Sequence, residues 1–169
     1  MKIGRITVSD RASAGIYADL GGPEIERLLR ENLGPGHEFV VAVIPDEQDR
    51  ITETLRLFTR QEGCALIVTT GGTGVTPRDV TPEATRAVLD KELPGFGEAM
   101  RMGNFERVPT SILSRATAGV RGQSLIINLP GKPKAIGECL GLLMPAIREA
   151  LAHLQSHDPH KAEPSAAGK

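Results

Sequence analysis

The run Ala65–Thr70 is continuously apolar as far as Val68, passes through two threonines, and breaks at once into Gly71, Gly72 and Gly74. A strand with no polar face has to be covered on both sides, as happens in a parallel sheet held between helices. The rest of the chain alternates strand-like and helix-like patterns, as that arrangement requires. Ile3–Ser9 reads as a first strand leading into a polar loop, Asp10–Gly22. Pro23 then suits the first turn of a helix running to about Asn32. Phe39–Ile44 is a β-branched second strand stopped by Pro45. Gln48–Glu62 places Ile51, Leu55 and Phe58 at helical spacing and ends near Gly63. Thr81 is placed to cap a helix whose first position is Pro82. Pro94-Gly95 interrupts the chain before a short helix over Phe96–Phe105. Leu125–Leu129 is a fourth strand, with a candidate antiparallel partner over Thr117–Arg121. From Pro133 onward Ile136, Leu140, Leu143, Ile147, Leu151 and Leu154 follow helical periodicity, and Pro145 predicts a kink or two consecutive helices. The fold class is α/β, a three-layer α/β/α sandwich with a mostly parallel central sheet. Residues 1–155 are expected to form one domain, and the polar stretch 156–169 a disordered C-terminal tail.

In such sheets ligands bind outside the carboxyl ends of the strands. Four loops fall there: Ser9–Gly22, Pro45–Asp49, Thr70–Asp79 and Asn128–Lys134. Glycines as dense as Gly71, Gly72 and Gly74 let the backbone turn its N–H groups toward an anion, and Asp79 is placed to hold Mg²⁺ beside a bound phosphate. The same residues also read as a tight turn with Asp79 as a helix cap. The loop is neither a P-loop nor a dinucleotide-binding GxGxxG. Asp46 either joins Asp79 in a paired carboxylate site or caps the helix beginning at Gln48, and the two roles are compatible. Asn128–Lys134 is a rigid turn into a helix start where Lys132 and Lys134 can meet an anion, or a plain β-to-α turn. Ser9, Asp10, Arg11, Ser13 and Gly15 offer hydroxyls and a guanidinium for phosphate or polar ring contacts, or form a surface loop. Ser114-Arg115 carries no local signal beyond a helix surface, and His153, His157 and His160 read as solvated histidines despite their helical spacing.

Several function classes are excluded by composition. A formal net charge of −1, one Tyr, four Phe and no Trp leave neither a basic footprint nor stacking platforms for nucleic acid. Cys64 and Cys139 stand far apart with no second cysteine near either, so they form neither a zinc cluster nor a disulfide framework. No apolar run reaches the length of a membrane span, and Met1-Lys2 opens directly onto a strand-like run, so the expected address is the cytoplasm, with no membrane partner.

Six segments in order carry a family resemblance: SDRASAGIYADLGGP (Ser9–Pro23), IPDE (Ile44–Glu47), TTGGTGVTPRDVTPEAT (Thr69–Thr85), PGFGEAMR (Pro94–Arg101), SILSR (Ser111–Arg115) and NLPGKPKA (Asn128–Ala135). With them the chain resembles the Mog-type molybdopterin adenylyltransferases, related to the MoaB proteins and the gephyrin G domain. The resemblance implies a molybdopterin-binding fold, usually trimeric. It also implies Mg²⁺-dependent transfer of AMP from ATP to the terminal phosphate of molybdopterin, and delivery of the product to the molybdenum-insertion protein. In that reading Asp46 and Asp79 are the catalytic, metal-holding carboxylates. Gly71, Gly72, Thr73 and Gly74 contact the nucleotide phosphates, and Pro94, Gly95, Glu98, Ser114 and Arg115 lie on the nucleotide side. Ser9, Asp10, Arg11, Ser13, Asn128, Pro130, Gly131 and Lys132 line the pterin and phosphate region. The alternative is a non-catalytic molybdopterin carrier or scaffold of the same fold, which has no need of a metal pair.

Overall fold

The computed structural model describes residues 1–156, so residues 157–169 of the expected tail, with His157 and His160, lie outside the described residues. Six strands form one sheet: β1 (Lys2–Val8), β2 (Glu38–Ile44), β3 (Leu66–Thr70), β4 (Lys91–Glu92), β5 (Ala118–Arg121) and β6 (Ser124–Leu129). Their order is β2-β1-β3-β6-β5-β4. The first four in that order run parallel, and β5 and β4 add an antiparallel edge. The helices are α1 (Asp10–Ser13), α2 (Gly21–Leu33), α3 (Gln48–Arg60), α4 (Thr81–Arg86), α5 (Pro94–Phe105) and α6 (Pro133–Ser156), with a 3₁₀ turn over Pro109–Leu113.

Every residue of β3 and β6 is buried, as the unbroken apolar run requires. Alternate residues feed two cores. Val68, Leu125 and Ile127 pack with Ile25 and Leu29 of α2 and with Ile136, Leu140 and Ile147 of α6. Ile67 and Ile126 face the other way, toward Ile51, Leu55 and Phe58 of α3 and Ala84 of α4. Each fully buried aliphatic side chain contributes about 1.5–3 kcal/mol, so the two central strands anchor the domain from both sides. Parallel register then aligns the strand ends: Val8 pairs with Ile44, Thr7 with Thr70, and Thr70 with Leu129. The four predicted loops therefore leave one edge of the sheet together.

Some boundaries differ from the sequence reading, each for a local reason. The polar loop after β1 contains α1, whose start Ser9 caps by accepting from the Ala12 amide at 3.2 Å. The next helix begins at Gly21 because the Asp19 carboxylate accepts from the Gly22 amide at 2.9 Å. α5 starts at Pro94 itself, where a missing N–H costs nothing. The antiparallel partner near Thr117–Arg121 is β5, while the two-residue β4 has no sequence signal. α6 continues through Pro145 as one helix. Pro145 and Gly141, whose carbonyl loses its donor, both lie on the exposed side, where the carbonyl is not left buried without a partner.

Ile127→Ala, in the fully buried β6, is expected to lower unfolding free energy by about 2–5 kcal/mol in urea titrations. Val41→Ala, 47% exposed on the edge strand β2, should stay within about 0.5 kcal/mol of wild type.

Candidate active site

The site begins with a close backbone approach. Gly71 leaves β3 at φ +97°, and a Cβ there would sit 2.2 Å from the carbonyl oxygen of Val8, the last residue of β1. Only glycine allows the loop to lie directly on the strand end. Gly72 follows at φ +62°, and a Cβ there would meet Thr81 Oγ1 at 2.4 Å and Asp46 Oδ1 at 3.1 Å. A Cβ on Gly74 would lie 2.9 Å from Asp79 Oδ2. Gly72 and Gly74 are thus the points at which the two predicted carboxylates approach the loop. Among the described residues, the Gly72 and Thr73 amides donate to no protein acceptor.

Residues behind the loop hold this shape. The sequence pattern makes Thr81 the cap of α4; in the structure that position belongs to Val80, and Thr81 is the first helical residue. Its hydroxyl donates to the Gly71 carbonyl at 2.9 Å and its amide to the Gly72 carbonyl at 3.1 Å. Arg115 donates from Nε to the Gly74 carbonyl at 2.6 Å, and also bonds the Asp79 carbonyl and the Glu83 carboxylate. Its own amide donates to the Thr73 carbonyl at 2.9 Å. The resemblance puts Arg115 beside a nucleotide; in the structure three of its guanidinium N–H groups hold the loop. Asn128 is likewise fully buried, and its amide nitrogen donates to Thr69 Oγ1 at 3.0 Å and Thr85 Oγ1 at 2.9 Å. It braces β3 and α4, while its Oδ1 accepts no hydrogen bond among the described residues.

The carboxylates sit in different electrostatic settings. Burial pushes the Asp46 carboxyl above its ordinary value; the charges of Asp10 and Asp79 act the same way, against the Asp10 amide and Arg78. For Asp79 burial also pushes up, but the Thr76 hydroxyl and amide, the Gly74 amide and the Arg115 charge outweigh it, leaving the carboxyl below the usual range. The Thr76 bonds to Asp79 Oδ2 measure 2.6 Å from the hydroxyl and 2.8 Å from the amide. Asp46 does not cap α3, since Glu47 occupies that position without a side-chain bond. Asp46 Oδ2 accepts instead from the Asp10 amide at 2.8 Å, at the start of α1.

Two cavities flank the loop. A polar one of about 290 Å³ is lined by Ser9, Tyr17, Asp19, Asp46, Gly71 and Gly72. An apolar one of about 410 Å³ is lined by Thr73, Gly74, Met100, Leu113, Ser114 and Lys132, with Pro130 at its wall. Gly131 borders both, and a Cβ there would come 3.5 Å from the Gly71 Cα, so two glycines form the partition. Of the remaining expected residues, Arg11 stacks over the Tyr17 ring at 5.5 Å, and Ser13 donates to the Asp10 carbonyl at 3.0 Å. Pro94, Gly95 and Glu98, at the start of α5, line neither cavity. The sequence reading misses two residues. Asp19 binds Arg5, Thr7 and the Gly22 amide at the rim of the polar cavity, and Arg78 grips Asp10. The signal available for Arg78 is its place beside Asp79; for Asp19 it is a carboxylate at N-cap distance before Gly22.

No group of three or more His, Cys, Asp or Glu side chains gathers into a metal cage among the described residues. Two hard oxygen donors beside an anion cradle nevertheless suit Mg²⁺, which is commonly held by one or two carboxylates together with substrate phosphates.

Residues 4–149 match the family described as "Probable molybdopterin binding domain". The chain is 54% identical to the molybdopterin adenylyltransferase of Helicobacter pylori (strain ATCC 700392 / 26695) over 145 residues, 86% of this chain and 82% of that protein. It is 50% identical to the molybdopterin adenylyltransferase of Escherichia coli (strain K12) over 140 residues, 83% and 72% of the respective chains. Its fold is similar to the molybdopterin biosynthesis enzyme MoaB from Thermus thermophilus, with TM-score 0.84, 42% identity, and coverage of 92% of this chain and 96% of that one.

Arg115→Ala should destabilise the protein by about 1–2 kcal/mol in urea titrations, since it strips bonds from the loop while the guanidinium itself is partly exposed. Arg115→Lys should recover only a fraction, because an ammonium cannot span two carbonyls and a carboxylate.

Proposed function

This chain belongs to the molybdopterin-binding family matched across residues 4–149, and we propose that it is a molybdopterin adenylyltransferase. In the proposed reaction a terminal phosphate oxygen of molybdopterin attacks the α-phosphorus of ATP. A P–O bond forms to the pterin phosphate, the bond to the β,γ-phosphates breaks, and pyrophosphate leaves. The observation that carries this reading is the placement of Asp46 and Asp79 against Gly72 and Gly74, on the loop that separates the two cavities.

No protein nucleophile is required, because the attacking phosphate is already ionised; the work left to the protein is positioning and charge neutralisation. The free Gly72 and Thr73 amides face the phosphates, and Lys132 adds a cation from the turn after β6. Asp46 and Asp79 would hold Mg²⁺, which offsets charge on the transferring and leaving phosphates. Arg115, Thr81 and Asn128 keep the loop in shape, so that its donors cost no reorganisation during transfer. Ser9 and Asp46 border the polar cavity and Ser114 the apolar one, so both substrates reach the same glycine partition.

The proposal extends to a homotrimer in the cytoplasm that passes its product to the molybdenum-insertion protein. Exposed Met102 and Phe105 on α5, Ile112 and Leu113 on the 3₁₀ turn, and Leu142 on α6 supply apolar surface for self-association. No described helix is long and apolar enough to cross a membrane.

Pyrophosphate release from Mg·ATP, with and without molybdopterin, tests the reading. Release should depend on molybdopterin and fall about a hundredfold or more in Asp79→Asn, with pterin binding largely kept. Tight pterin binding without release, from folded wild-type protein, would make this chain a carrier instead.

A further inference from the structure

Arg78, next to Asp79 on the loop after β3, has no part in the reaction as described above. Its guanidinium grips the Asp10 carboxylate through two bonds, Nε to Oδ2 at 3.0 Å and Nη2 to Oδ1 at 2.7 Å. Asp10 is joined to Asp46 in both directions. The Asp10 amide donates to Asp46 Oδ2 at 2.8 Å, and the Asp46 amide donates to Asp10 Oδ1 at 3.0 Å. One oxygen of Asp46 is therefore held within the protein. The other, Oδ1, accepts no hydrogen bond among the described residues and points toward Gly72, where a Cβ would come within 3.1 Å. The loops after β1, β2 and β3 meet in this single chain of contacts.

We propose that Arg78 is a positioning residue: acting through Asp10, it fixes the orientation of Asp46 for the divalent cation that accompanies ATP. This rests on the adenylyl-transfer reading of the same site. The two-bond grip gives Asp10 one geometry, which a lysine ammonium would not impose. Asp10 then carries that geometry to Asp46 through the paired backbone bonds, and Asp46 presents one oxygen outward. Both partners of the ion pair are exposed, so the pair adds little to folding stability. Its effect should be felt where the cation binds. A nucleotide-binding arginine would leave its bidentate face open to phosphate, whereas here that face is occupied by Asp10.

The experiment titrates Mn²⁺, as a paramagnetic stand-in for Mg²⁺, into wild type, Arg78→Ala and Arg78→Lys in the presence of ATP. Pyrophosphate release is followed in parallel as Mg²⁺ is varied. Arg78→Ala should bind Mn²⁺ about tenfold more weakly or worse, and should need correspondingly more Mg²⁺ for half-maximal release. Its thermal midpoint and its KM for ATP at saturating Mg²⁺ should match wild type, and Arg78→Lys should recover only part of the loss. Adding Asp10→Ala to Arg78→Ala should weaken Mn²⁺ binding no more than Asp10→Ala alone, because both act on Asp46 by one route. Wild-type Mn²⁺ affinity in folded Arg78→Ala overturns the proposal. So does a raised KM for ATP at saturating Mg²⁺ with unchanged Mn²⁺ binding, which would make Arg78 a direct phosphate contact. If wild type binds Mn²⁺ with ATP but releases no pyrophosphate, adenylyl transfer falls while the Mn²⁺ comparison still decides the role of Arg78. If wild type binds no Mn²⁺ with ATP, both fall.

Discussion

The contact on which the site depends is that between the Gly71 backbone and the last carbonyl of β1. With a Cβ position only 2.2 Å from the Val8 carbonyl oxygen, the loop after β3 can lie on β1 only because residue 71 has no side chain. That approach brings Gly72 under Asp46 and Gly74 under Asp79, and it sets Gly71 against Gly131 to divide the two cavities. The sheet makes the approach possible. Parallel pairing of β1, β3 and β6 ends the three strands at one level, and burial on both faces keeps them from shifting.

Labour is divided between residues at the two cavities and residues that brace the loop between them. The Gly72 and Thr73 amides and Asp46 Oδ1 have no protein hydrogen-bond partner among the described residues, and Lys132 lines the apolar cavity. Arg115, Thr81, Asn128 and the Asp10–Arg78 pair face inward or toward one another. A loop whose donors have to be in place before an anion arrives needs such bracing, since a mobile backbone would lose ordering entropy on binding. The braces are themselves polar and charged, so by residue type alone they look like binding residues. Asn128 shows the point well: an amide in a turn beside a Pro-Gly suggests a ligand contact, yet it is a core bridge between Thr69 and Thr85.

Much of the fold could be read from the chain. The apolar runs of β1, β2, β3 and β6, the helical spacing of Ile51, Leu55 and Phe58, and the period in α6 are all direct consequences of which faces are buried. The glycine loop was also legible, because the positive φ of Gly71 and Gly72 leaves a mark on residue type. β4 left none, being a two-residue edge held by pairing with Val120 and Gly119 rather than by its own composition. Arg78 and Asp19 went unread because Asp10, the partner of Arg78, and Arg5 and Thr7, partners of Asp19, are distant in sequence, and the local marks the two residues carry do not reveal those pairings.

The layering, the strands buried on both faces, and the positions where only glycine fits follow from the order of residues, because hydrophobic periodicity and backbone freedom are local properties of residue type. Which polar groups border the cavities and which are bonded within the protein emerges only when the chain is folded. That choice depends on long-range pairings such as Arg78 with Asp10 and Arg115 with Gly74 and Asp79, and a hydrogen bond between residues far apart in the chain has no signature in either residue's neighbours.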